Sequence, residues 1–87
     1  MDGIDLIREQ LLAVSRAYGA AENIDLSTVS WRALGDGKKL AAIVEGADIQ
    51  SRRFLKTMQW FSDNWPENAI WPESIDRPAR QTAEQSA

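Results

Sequence analysis

Apolar residues at Ile4, Ile7, Leu11, Val14 and Tyr18 recur every three or four positions, and Leu12 and Ala17 widen the stripe. That spacing lines one face of an α-helix. Asp2 is the expected N-cap, Asp5 and Glu9 place negative charge toward the positive end of the helix dipole, and Ala20, Ala21 and Glu22 extend the helix as far as Asn23. A second helix is expected over residues 26–34, with Leu26, Val29 and Ala33 inward and Ser27, Thr28, Ser30 and Trp31 outward. Gly35-Asp36-Gly37 stops it. A short third helix over residues 38–45 carries Leu40, Ile43 and Val44 and ends at Gly46. Asp48 then reads as the cap of a fourth, whose stripe is Phe54, Met58, Phe61 and Trp65, with Leu55 and Thr57 at its borders and Trp60 beside it.

Arg52, Lys56, Gln59 and Asp63 fall on the opposite face of that last helix, which closes near Asn64 because Pro66 cannot continue it. Residues 67–77 hold Ile70, Trp71, Pro72 and Ile75 and read as an irregular segment that lays Trp71 back on the bundle or onto a partner. From Pro78 onward the chain lacks apolar bulk and reads as a disordered tail. No stretch alternates with a period of two long enough for a strand. The pattern therefore predicts an all-α, compact four-helix domain over residues 1–77, with a Trp- and Pro-containing C-terminal wrap and a tail at 78–87.

The run from Tyr18 to Leu34 organises the rest. Gly19 gives a small residue where two crossing helices approach, Asn23 tolerates the positive φ of a tight turn, and Asp25 can cap the following helix. With Ile24 and the run Thr28-Val29-Ser30, these residues resemble the helix-turn-helix of small bacterial and phage DNA-binding regulators. In that family Arg often follows the Thr-Val-Ser run and an apolar residue comes next; Trp31 and Arg32 hold those places here. The resemblance implies a sequence-specific transcriptional regulator that reads the major groove of double-stranded DNA with residues 26–34. Ser27, Thr28, Ser30 and Trp31 would contact bases, and Arg32, Lys38, Lys39, Arg52, Arg53 and Lys56 would hold phosphates. It also implies a homodimer on a palindromic site.

Charge adds one point in favour. The net charge is −3, yet residues 30–58 carry six basic against three acidic side chains, while the thirds on either side carry two against five each. The segment with the second helix is thus the one basic third, which suits a localised phosphate contact better than indiscriminate polyanion binding.

Other chemistry finds little footing. The chain of 87 residues has neither cysteine nor histidine, which removes disulfides, thiolate metal sites and the commonest general base. The glycine-rich Gly35-Asp36-Gly37 followed by Lys38 and Lys39 lacks the spacing of a phosphate-binding P-loop. No enzyme, cofactor or metal is expected. No apolar run is long enough to cross a bilayer and the N-terminus is acidic, so a cytoplasmic protein without membrane contact is expected. The rival reading is a non-catalytic protein-interaction module, an antiactivator or adaptor, that docks a protein partner through the C-terminal tryptophans Trp60 and Trp71.

Overall fold

The longest element, α1 (Gly3–Glu22), buries Leu11, Val14 and Tyr18 along the stripe set by its sequence. The computed structural model describes residues 3–80, with side chains from Leu6 on. The expected cap Asp2, the side chains of Ile4 and Asp5 and tail residues 81–87 lie outside the described residues.

Two capping interactions fix how α1 ends. Asn23 takes φ 58°, its amide donates to the Ala20 carbonyl at 3.4 Å, and the Ile24 amide donates to the Gly19 carbonyl at 3.0 Å. This pair of bonds is a Schellman closure with Asn in the left-handed position. The chain then turns into α2 (Leu26–Leu34), capped by Asp25, whose carboxylate accepts from the Thr28 amide at 2.9 Å. Gly19 lies where the two helices meet: a Cβ there would stand 3.1 Å from the Ile24 carbonyl oxygen and 3.2 Å from Val29 Cγ2.

Gly35 closes α2 with φ 71°, and α3 (Lys39–Val44) follows at once. Its end at Gly46 repeats the Schellman pattern, with Ala47 donating to the Ala42 carbonyl at 2.9 Å and Gly46 to Ile43 at 3.0 Å. The last helix, α4 (Ser51–Asp63), packs on α1 and α2 and buries Thr57, Met58, Phe61 and Ser62. Its N-cap is Gln50, which makes no side-chain capping bond, so the expected cap at Asp48 is corrected. Ile49 is pulled into the core, leaving Asp48 exposed and outside the first turn.

The described residues are all-helical, with four helices around one apolar core in which Leu11, Val14, Val29, Leu40, Ile43 and Phe61 are completely enclosed. Beyond α4 the chain wraps back over it. Trp65 packs on Trp71 with ring centroids 4.8 Å apart, the Trp65 indole donates to the Ala69 carbonyl, and the Trp71 indole donates to that of Ile75, itself buried.

Most of the tail expected over residues 78–87 falls on residues 81–87, outside the described residues. Residues 78–80 lie against α4: Ser62 Oγ donates to the Pro78 carbonyl, Gln59 Nε2 to that of Ala79 at 2.8 Å, and Arg80 to that of Asp63 at 3.1 Å. Backbone hydrogen bonds to polar side chains hold a segment that has no apolar bulk of its own.

Candidate nucleic-acid interface

The turn at Asn23 and the cap at Asp25 set the rotation of α2 about its axis. Val29 and Ser30 are buried, Leu26, Thr28, Ala33 and Leu34 are half-buried, and Ser27, Trp31 and Arg32 are exposed. Trp31 shows 64% of its surface to solvent. Ser27 donates to Asp25 Oδ1 at 3.1 Å. The Asp25 carboxyl is held below the usual carboxylate range by the Thr28 side chain, then by the Thr28 amide and the Ser27 hydroxyl. The exposed Ser27 and Trp31, with Thr28 at their border, form the outer stripe of α2.

Ser30 does not belong to that stripe, and its expected base contact is corrected. Its side chain is completely buried, donates to the Asp36 carbonyl and accepts from the Leu40 amide at 3.0 Å. The turn after Gly35 folds back along α2 and covers it: a Cβ on Gly37 would stand 3.7 Å from the Ser27 carbonyl oxygen. The hydroxyl satisfies a backbone donor at the start of α3 that Lys38, which makes no side-chain cap, leaves open.

The six cations expected at phosphates divide by what each already holds. Arg32 donates from Nη1 to the Tyr18 hydroxyl at 3.1 Å and pairs with Glu22 at 3.2 Å; the Tyr18 contact first and Glu22 second raise its already high pKa. Its charge is compensated within the fold by Glu22. Arg53 donates from Nη2 to the Leu34 carbonyl at 2.9 Å, tying α4 to the end of α2. Lys38, Arg52 and Lys56 are exposed and Lys39 is half-buried, and none of the four side chains is engaged in a hydrogen bond or ion pair among the described residues.

Between the end of α2 and the first turns of α4 lies an open groove of about 410 Å³, lined in part by Leu34, Arg52, Arg53, Lys56 and Trp60. The sequence reading had the cations but not the groove. Its signal was present in the spacing, since Arg52, Lys56 and Trp60 stand at i, i+4 and i+8 and so share one face of α4.

Trp60 and Trp71, the expected protein interface, take part in the aromatic packing of the core and the wrap. Both are half-buried. Trp60 meets Tyr18 edge-on at 5.5 Å and Phe61 at 5.3 Å, while Trp71 lies against Trp65 and beneath the Arg77 guanidinium at 5.4 Å. The large apolar side chains that do face solvent include Trp31, Leu55 at 64% and Ile70 at 84%.

Among the described residues no group of three or more His, Cys, Asp or Glu could hold a metal ion, and no helix is long and apolar enough to cross a membrane. Comparison of the chain with protein-family models, curated proteins and solved structures finds no match in any of the three.

Proposed function

We propose that this chain is a small, non-catalytic DNA-binding transcriptional regulator of the bacterial or phage helix-turn-helix kind, cytoplasmic and acting as a homodimer. The observation that carries the reading is the turn between α1 and α2. Asn23 in the left-handed region and Gly19 packed on Val29 hold α2 so that Ser27 and Trp31 face outward while Val29 anchors the helix from below. A helix so presented fits a major groove, where the Ser27 and Thr28 hydroxyls meet phosphates or base edges and the Trp31 ring lies against a thymine methyl. Lys38, Lys39, Arg52 and Lys56 supply the phosphate contacts.

A mobility-shift titration with genomic fragments tests it. With those four cations of each protomer on phosphates, log affinity of the dimer should fall against log salt with a slope of about −7. Trp31→Glu should abolish the shift without loss of helical content. No shift with any fragment at low salt would sink the reading.

One observation favours a second reading, a docking module for a protein. Trp31 is a solvent-exposed indole beside an arginine whose charge Glu22 already balances, and such aromatics anchor protein interfaces. A complex that survives nuclease treatment and is lost on Trp31→Ala would select it.

A further inference from the structure

The groove between α2 and α4 lies beside the outer stripe of α2 and has its own chemistry. One wall is apolar, formed by Ala33 and Leu34; the other carries Arg52, Lys56 and the half-buried Trp60. Arg53 is steadied at the junction by its bond to the Leu34 carbonyl. No carboxylate lines the groove, and none pairs with Arg52 or Lys56 among the described residues, so the positive potential there is uncompensated. Gln50 leaves the first amides of α4 without a side-chain cap, which adds partial positive charge at the same end. A volume of about 410 Å³ falls within the range of small-ligand sites.

We propose that this groove binds a small phosphate ester with a planar ring, of the size of a nucleoside monophosphate. The phosphate is held by Arg52, whose fork matches its oxygens, and by Lys56 one helical turn on. The ring lies between the Leu34 wall and the Trp60 indole. Neither half suffices alone: exposed cations bind a bare anion weakly, and the apolar wall is short. The same chemistry could be offered by a free nucleotide or by the terminal nucleotide of a strand.

Amide NMR titration of the whole chain with AMP, adenosine, inorganic phosphate and a short, terminally phosphorylated single strand tests the proposal. Saturable shifts of the Trp60 indole and of the Arg52 and Arg53 amides are expected with AMP, weaker by at least about tenfold in Arg52→Gln and in Lys56→Gln. Both residues are exposed, so these variants should keep the wild-type circular dichroism, and either one suffices. A strand that binds as tightly as AMP would assign the groove to a terminal nucleotide, and a weaker one to a free nucleotide. The proposal is overturned if nothing saturates by about 10 mM AMP, if adenosine or inorganic phosphate binds as well as AMP, or if both variants bind like wild type. Duplex DNA has no part in this titration, so its failure leaves the reading of α2 standing, and the reverse holds too.

Discussion

Replacing Ser30 with alanine separates a structural hydroxyl from a DNA-contacting one. The side chain is completely buried, and its loss removes the donor to the Asp36 carbonyl and the acceptor of the Leu40 amide. The Leu40 amide sits in the first turn of α3 beside a completely buried side chain, where water cannot readily replace the lost partner. An unsatisfied buried donor costs about 1–3 kcal/mol and a lost neutral hydrogen bond about 0.5–1.5 kcal/mol, so the substitution should cost about 2–4 kcal/mol. The total stability expected for a domain of this length is about 4–13 kcal/mol. At about 4–8 °C per kcal/mol, thermal unfolding followed by circular dichroism should show Tm lowered by about 8–32 °C. Ser27→Ala, at an exposed position, should stay within about 0.5 kcal/mol of wild type. DNA affinity measured where Ser30→Ala is still folded should match wild type. A variant that melts within about 2 °C of wild type yet loses DNA binding would refute the argument and return Ser30 to the interface.

Asn23 should accept glycine with little change and valine only at a cost of about 1–2 kcal/mol, because a β-branched residue resists the left-handed region; denaturant midpoints give the comparison, and equal midpoints would count against the turn. Phe61→Ala should cost about 3–5 kcal/mol, since the ring is completely enclosed and packs edge-on against Tyr18 and Trp60. Asp25 has a folded-state pKa below its unfolded value, so its stabilising contribution is complete above the ordinary carboxylate range near about pH 4 and is lost as pH falls through the folded value. The stability gap between wild type and Asp25→Ala should therefore be flat at neutral pH and narrow in acid; a gap that widens on acidification would contradict the cap.

What local chemistry decides was legible in the chain. Asn23, Gly19, Asp25 and Gly35 act through their own backbone preferences or through neighbours a few residues away, and each stands where its residue type suggested. What tertiary contacts decide was not. Ser30 reads as outward because Thr-Val-Ser is polar on both sides of Val29, but its partners, Asp36 and Leu40, reach it only once the turn after Gly35 folds back. Arg32 counts as a free cation until α1 brings Tyr18 and Glu22 to it. Asp48 is as good a cap by composition as Asp25, and loses that place because burying Ile49 shifts the start of α4. The basic groove needs Leu34 and Arg52 side by side, which no single helix pattern contains.

The central claim is that the outer stripe of α2 reads DNA. Selection from a random duplex library at near-physiological salt, run in parallel with wild type and with Trp31→Glu, tests it most directly. The account predicts one enriched motif with wild type and none with the variant, both proteins having the same circular dichroism. Failure of wild type to enrich any motif, or recovery of the same motif by both, would contradict it.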